Sequence, residues 1–410
     1  MVAGGPGLRV ALYAHDAMGL GHLRRNLAIA RALAESPLGA SVLVVSGVQE
    51  AGVLELPPRT DCLTLPSLAK EGDGRYRSRS LALGLGELTG LRARTIAAAL
   101  EAFAPRLLIV DKRPLGVEGE LAPALATLRR RGGTRCVLGL RDVLDEPAAV
   151  EREWRADRAT EAVRAHFDAI WVYGDRALYD PLAEYPVTAG LADLASFTGY
   201  LAPRWQAPAP AAARAHRARL GIPEGRLLLC LLGGGQDGFP VAWSFAHARI
   251  PEDAVGVIVT GPFLPPDARR RLEAQADTHP RLRLIEFVKD VAPLVCSADR
   301  IVAMGGYNTV CEALAARKPL LVVPRVRPRS EQWIRAERLR ALGLAEVLAP
   351  EALTPERITG WLAAALAPPD PSAIDLAGLE RVPEQARALL ATPAPARHRS
   401  RRAAWRGASA

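Results

Sequence analysis

Residues 300–314 read RIVAMGGYNTVCEAL, and this stretch decides the fold. Arg300–Ala303 is a short apolar run of the kind that forms a strand buried on both faces. Gly305 and Gly306 turn the chain. Tyr307, Asn308 and Thr309 then open a helical pattern that continues past Glu312. A strand, a glycine turn and a helix in that order make half of a βαβ unit. The free N–H groups of such a helix start, together with Asn308 and Thr309, suit a diphosphate. Glu312 falls one turn further along the same face, where a carboxylate can accept both hydroxyls of a ribose. The competing reading of Glu312 is an exposed helix acid, or one paired with Arg317 or Lys318.

The alternation extends outward from this stretch. Downstream come a strand at Leu320–Val323, a basic loop (Arg325, Arg327, Arg329) and a helix at Glu331–Ala341, whose Glu331 and Gln332 are candidates to read sugar hydroxyls. Upstream lie strands at Leu227–Leu232, Val255–Thr260 and Leu282–Phe287, with a helix at Asp267–Asp277. Gly233-Gly234-Gly235-Gln236-Asp237-Gly238 follows the first of these strands. Consecutive glycines at a strand–helix junction form a backbone cradle for phosphate oxygens. A tight turn without ligand is the alternative. The turn lacks the Lys-Ser/Thr of an ATPase P-loop.

Pro203–Arg219 is rich in Pro and Ala and reads as a linker. Before it the alternation begins afresh. Strands are expected at Leu8–Ala14, Ser41–Ser46, Cys62–Pro66, Leu107–Asp111, Cys136–Arg141 and Ala169–Tyr173. Helices are expected at Leu23–Glu35, Leu81–Phe103, Glu120–Arg131 and Pro147–His166. Apolar strands joined by helical crossovers predict parallel sheets covered on both faces. The expected fold class is therefore α/β, with two doubly wound Rossmann-like domains and a ligand in the cleft between the C-terminal edges of their sheets. The expected division is a first domain over 1–202, a linker over 203–219, a second domain over 220–370, a helix over 371–391 packing back on the first domain, and a disordered basic tail over 392–410.

The first domain has its own glycine turn, His15-Asp16-Ala17-Met18-Gly19-Leu20-Gly21-His22, between its first strand and first helix. The third glycine of a dinucleotide fingerprint is missing, which disfavours NAD. His22 falls in the first helical turn, where the helix dipole favours the neutral imidazole that a general base needs. A satisfied surface histidine is the alternative. Asp16 and His15 are substitutes for the base in the same loop. Asp111, Lys112, Arg141 and Asp142 sit at strand ends, with Gly19 and Gly21 nearby, and either shape an acceptor site or form structural ion pairs.

Composition sets the outer limits. The 410 residues are 49% hydrophobic and 24% charged, enough apolar residues for two cores and too many for extended disorder. The net charge of +9 rests almost wholly on arginine, since only Lys70, Lys112, Lys289 and Lys318 are lysines. Five of the arginines lie in the last stretch, at 397, 399, 401, 402 and 406, without a neighbouring acid. That tail is a candidate contact for an anionic membrane surface, and nucleic acid is not an expected partner. The five cysteines are widely spaced, and no His/Cys pattern suggests a metal site. No run is long enough to span a membrane, and the first residues do not resemble a secretory signal, so a cytoplasmic protein is expected.

The chain resembles GT-B glycosyltransferases of the MurG-like type. The residues that carry the likeness are Gly19–His22, the GGGQDG turn, the run from Gly305 to Glu312, and Glu331-Gln332 after Val322-Val323-Pro324. More closely it resembles a branch of predicted bacterial glycosyltransferases through Val110–Gly116, Gly139–Asp142 and Tyr173–Asp175. Two departures stand out: Arg25 where a proline often follows the loop histidine, and Asp237 where a small residue is common. The resemblance implies a nucleotide-sugar donor, UDP-linked, on Gly234, Gly235, Gln236, Gly305, Gly306, Tyr307, Asn308, Thr309, Glu312, Glu331 and Gln332. It implies a hydroxyl acceptor, lipid-linked or small, on the first domain near His22, and no cofactor. No Asp-x-Asp occurs, and Met304 stands eight residues before Glu312, where a retaining enzyme often has a second glutamate. Transfer with inversion and without metal is the expectation. A nucleotide-sugar hydrolase on the same fold and a non-catalytic glycan- or nucleotide-binding partner are the alternatives.

Overall fold

The computed structural model describes residues 7–15, 20–48, 54–70, 75–204 and 209–393. Its first half runs through β1 (Arg9–Ala14), β2 (Ser41–Ser46), β3 (Thr60–Thr64), a small antiparallel hairpin of β4 (Leu68–Lys70) and β5 (Tyr76–Ser78), then β6 (Leu107–Asp111), β7 (Arg135–Arg141), β8 (Ala169–Tyr173) and β9 (Ala195–Phe197). Seven of these strands form a parallel sheet in the order β3-β2-β1-β6-β7-β8-β9. The second half contributes β10 (Arg226–Leu231), β11 (Ala254–Val259), β12 (Leu282–Ile285), β13 (Arg300–Ala303), β14 (Leu320–Val322) and β15 (Glu346–Val347), ordered β12-β11-β10-β13-β14-β15. Both sheets are doubly wound, as the alternating pattern predicts.

The inner strands of both sheets are buried along nearly their whole length. Every residue of β6, β7 and β11 is buried, because helices cover both faces. In each sheet the order of strands reverses beside the first strand: between β1 and β6, and between β10 and β13. Helices leave such a point in opposite directions and open a crevice at the C-terminal ends of the strands. In the first sheet Val110 pairs with Tyr13 and Asp111 with Gly139, so Asp111 emerges at that edge, beside the turn that follows β1.

Several elements differ from the sequence reading. Pro147–His166 is two helices, Pro147–Ala156 and Ala159–His166, parted where Arg158 takes a left-handed backbone, φ 48°. Within the expected linker, Pro210–Arg219 is helical, because alanine and arginine are strong helix formers and Pro210 occupies the first turn. The edge strands β9 and β15 are three and two residues long. Pairing to a neighbouring strand, not composition, makes them strands.

The helix Gly378–Ala391 packs on the helix Gly21–Glu35 of the first half. Its start is held by the Gly378 N–H donating to the Tyr200 carbonyl at 2.9 Å, and Gln385 donates to the Phe197 carbonyl at 3.2 Å. The arginine-rich end beyond 393 lies outside the described residues. Among the described residues no helix is long and apolar enough to cross a membrane.

Candidate active site

The two crevices face one cavity of about 1070 Å³ between the halves of the chain. That is ample for a nucleotide-linked ligand. His22, Lys112 and Arg141 line it from the first half, and Gly234, Thr309 and Glu312 from the second.

On the first side, the helix Gly21–Glu35 begins without a side-chain cap or an acid in its first turn. His22 Nδ1 lies 2.6 Å from Asp111 Oδ2. Arg25, one turn on, places Nη2 2.5 Å from the same oxygen and 2.9 Å from His22 Nδ1. Burial alone would raise the Asp111 pKa. The Arg25 guanidinium, helped by the contact with the His22 ring, outweighs it and holds the carboxyl well below the usual range, so Asp111 is ionised. With its Nδ1–H donated to that carboxylate, His22 is left with Nε2 as a proton acceptor. The His15 ring meets His22 edge-on at 5.3 Å, and burial, reinforced by His22 and Arg113, pushes its pKa well below the ordinary value. Asp111 itself does not line the cavity. Expected at the acceptor, it stands behind His22 and orients it.

On the second side, the helix Tyr307–Ala315 also starts uncapped, with no acid in its first turn. Its N–H groups are available to an anion. Gly306, Asn308 and Thr309 line the cavity, as do Gly234 and Gln236. Gly305 and Gly235 do not, which corrects their reading as donor contacts. Both are there for the backbone. At φ 78° a Cβ on Gly305 would sit 2.6 Å from Val322, and at φ 92° one on Gly235 would sit 2.1 Å from the Thr260 carbonyl oxygen.

Glu312 lines the cavity but is buried, and its partner is neither Arg317 nor Lys318. Its Oε1 lies 2.6 Å from Arg24 Nη2, across the cleft. Its Oε2 is buried without a partner. Burial raises the carboxyl pKa; Arg24 opposes this and Asp290 adds to it.

Four other expected contacts are committed elsewhere. Asp142 is fully buried and off the cavity wall. It forms a two-point pair with Arg335, 2.7 and 2.8 Å, and accepts the Tyr200 hydroxyl at 2.9 Å. It is a domain-joining ion pair and not an acceptor ligand. Arg141 and Glu331 lie at the wall but pair with each other, Nη2 and Nη1 donating to the carboxylate at 2.5 and 3.2 Å. The Glu331 carboxylate, expected on the sugar, is therefore shared with the opposite domain. Burial works against its ionisation, but Arg141 and Lys112 hold it well below the carboxylate range. The Tyr307 hydroxyl turns away from the cavity to accept the Leu201 N–H at 3.0 Å. Gln332 keeps its amide near the cavity, with its oxygen accepting the Arg325 N–H at 2.9 Å.

Asn308 donates to the Gly21 carbonyl at 3.0 Å, so the starts of the two uncapped helices touch. Lys112 is half-buried with φ 68°, a left-handed backbone that lysine rarely adopts. Burial, with Arg141 and Arg329 adding to it, brings its pKa down to about 7. Asp16 and Gly19 lie outside the described residues. Sequence reasoning missed Arg24 and Arg25 as site residues, although Arg25 stands three residues after His22, on one helix face. Nothing in the sequence pointed to Arg335. Among the described residues no group of three His, Cys, Asp or Glu side chains is placed to hold a metal ion.

Residues 257–373 match the glycosyltransferase family 28 C-terminal domain. Over 169 residues the chain is 30% identical to the UDP-N-acetylglucosamine–N-acetylmuramyl-(pentapeptide) pyrophosphoryl-undecaprenol N-acetylglucosamine transferase of Mycobacterium tuberculosis. The match covers 40% of this chain and 40% of that relative, so it spans about two fifths of the relative's length. A Listeria monocytogenes structure assigned as a UDP-N-acetylglucosamine 2-epimerase aligns over 94% of this chain and 96% of its own, at TM-score 0.59 and 15% identity. Acinetobacter baumannii MurG aligns over 93% and 95%, at TM-score 0.52 and 14% identity. At such identities the structural likeness speaks for the fold alone. The chain thus has the two-domain GT-B fold, and part of its second half is similar to the glycosyltransferase family 28 C-terminal domain.

Proposed function

We propose that the protein transfers a hexose or N-acetylhexosamine from a UDP-sugar to an acceptor hydroxyl, with inversion and without a metal ion. One observation carries this reading: His22, backed by ionised Asp111, and Glu312, whose buried Oε2 has no partner, line the same cavity from opposite domains. The uridine diphosphate is supported by the names of the M. tuberculosis and L. monocytogenes proteins, both of which refer to UDP-N-acetylglucosamine.

In this reading the donor diphosphate lies at the start of the helix Tyr307–Ala315, with Thr309 and Asn308 beside it. The ribose hydroxyls donate to Glu312, and the sugar reaches toward Gln332. His22 Nε2 takes the proton of the acceptor hydroxyl as its oxygen attacks the anomeric carbon. The bond to the phosphate oxygen breaks on the opposite face, and the helix N–H groups receive the charge that develops on the diphosphate. The acceptor binds the first domain near His15, Gly21 and Lys112. Its class, lipid-linked as in the relative's name or a small molecule, is open to experiment.

The test has three arms. Titration with UDP should stabilise the protein, by about 2.7 kcal/mol at a hundred times the dissociation constant. UDP-N-acetylglucosamine is then incubated alone and with candidate acceptors. Release of UDP only with acceptor supports a transferase, and release without it supports a hydrolase. Epimerisation of the sugar would move the assignment to the chemistry named for the L. monocytogenes protein. In the last arm, activity that disappears with EDTA and returns with Mg²⁺ would refute the metal-free route.

A further inference from the structure

Arg24 is a cation whose present partner belongs to the donor site. It stands in the first turn of the helix Gly21–Glu35, two residues after His22, with its side chain about one third exposed. Its Nη2 lies 2.6 Å from Glu312 Oε1. The contact crosses the cleft between the domains. The carboxylate it holds is buried, and only one of that carboxylate's two oxygens is served. Close by, Asn308 donates to the Gly21 carbonyl, which presses the uncapped starts of the two helices together at the cavity wall. Arg24, Thr309 and Gly306 therefore line one corner.

We propose that Arg24 is a donor-binding residue that changes partner: it pairs with Glu312 across the cleft and passes to the donor diphosphate when ribose hydroxyls take the carboxylate. This rests on the donor site proposed above. A ribose needs an acceptor for each of its two hydroxyls, and with Arg24 on Oε1 and Oε2 buried, the carboxylate can serve both only once the Arg24 contact opens. A guanidinium matches a pair of phosphate oxygens through two N–H groups, and gains more from a multiply charged diphosphate than from one carboxylate. The exchange carries a cation of the first domain to the leaving group, where negative charge grows as the glycosidic bond breaks. It also ties nucleotide binding to the helix that carries His22. Thus the donor would set the position of the base before the acceptor reacts.

The experiment compares UDP with uridine, which has the ribose but no phosphate, by calorimetric titration of the full chain. Arg24→Ala should weaken UDP binding about tenfold or more, through loss of a charge-assisted contact. The same variant should bind uridine severalfold more tightly than wild type, because Glu312 has lost its competitor. Arg24→Lys should fall between for UDP, keeping the charge and losing the paired geometry. Melting curves of both variants check that the fold is intact. If Arg24→Ala leaves UDP unchanged, or weakens uridine as much as UDP, Arg24 only supports Glu312 and the exchange is refuted. If the wild type binds neither compound, the donor site itself is refuted, and the exchange with it.

Discussion

His22 Nδ1 and Asp111 Oδ2 lie 2.6 Å apart although 89 residues separate them in the chain. The topology makes the meeting: one residue starts the helix after β1 and the other ends β6, the neighbour of β1 in the sheet. If His22 is the base, His22→Ala should lower turnover by roughly 10²–10⁴ and leave UDP affinity near that of wild type. Asp111→Asn should also lower turnover, because an amide can hold the imidazole in the wrong tautomer. Steady-state rates at saturating donor check both, and turnover equal to wild type in His22→Ala would remove it from the mechanism.

Glu312 gives a second test, independent of turnover. A carboxylate that accepts two ribose hydroxyls makes charge-assisted bonds of about 1.5–3 kcal/mol each. Glu312→Gln should weaken UDP roughly tenfold or more, and Glu312→Ala further. Wild type should prefer UDP to its 2′-deoxy analogue, and the variants should lose that preference. Equal binding of the two nucleotides by wild type, together with unaltered affinity in the variants, would place the ribose elsewhere.

The doubly wound class was legible because its signals are local: apolar strand runs, glycine turns and helix starts, each within a dozen residues. The strand Ser41–Ser46 and the helix Glu331–Ala341 match their sequence readings to the residue. The partners of the site residues were not legible. Arg141 and Glu331 are 190 residues apart, and Asp142 and Arg335 are 193 apart. Only the way the two sheets face each other joins them, and no spacing within either segment encodes that. Both Asp142 and Glu331 were read from their place at a strand end or helix start. Such positions bind ligands and opposite domains by the same chemistry, so the residue type alone cannot choose.

The pair of Asp142 and Arg335 should contribute chiefly to how the domains are joined. Both side chains are essentially without solvent exposure, and Arg335 also donates to the Gly305 carbonyl at 3.2 Å. Arg335→Leu leaves a carboxylate buried without its cation, which should cost about 3–5 kcal/mol. Asp142→Leu combined with Arg335→Leu should cost less than the sum of the two single changes, because neither charge is then stranded. Urea unfolding of the three variants measures this. Strictly additive losses would mean that the two groups do not act as a pair.

Lys112 yields a prediction whose sign follows from its surroundings. Its pKa of about 7 reflects burial first, then repulsion from Arg141 and Arg329, offset in part by Glu331 and Glu153. In the unfolded chain a lysine titrates near ~10.4. Below about pH 7 both states carry the proton, and the folded protein bears the full cost of a confined charge. Between about 7 and ~10.4 the unfolded state holds a proton that the folded state has released, so this residue's contribution to stability rises with pH. Lys112→Met removes the charge at every pH. Its gain in melting temperature should therefore be largest at pH 6, smaller at pH 9 and absent once the wild-type amine is neutral in both states. Scanning calorimetry of the two proteins across that range reads the difference directly. A gain that is the same at pH 6 and pH 9 would show that Lys112 keeps an ordinary ammonium in the fold, and a loss at pH 6 would show that its charge is stabilising there.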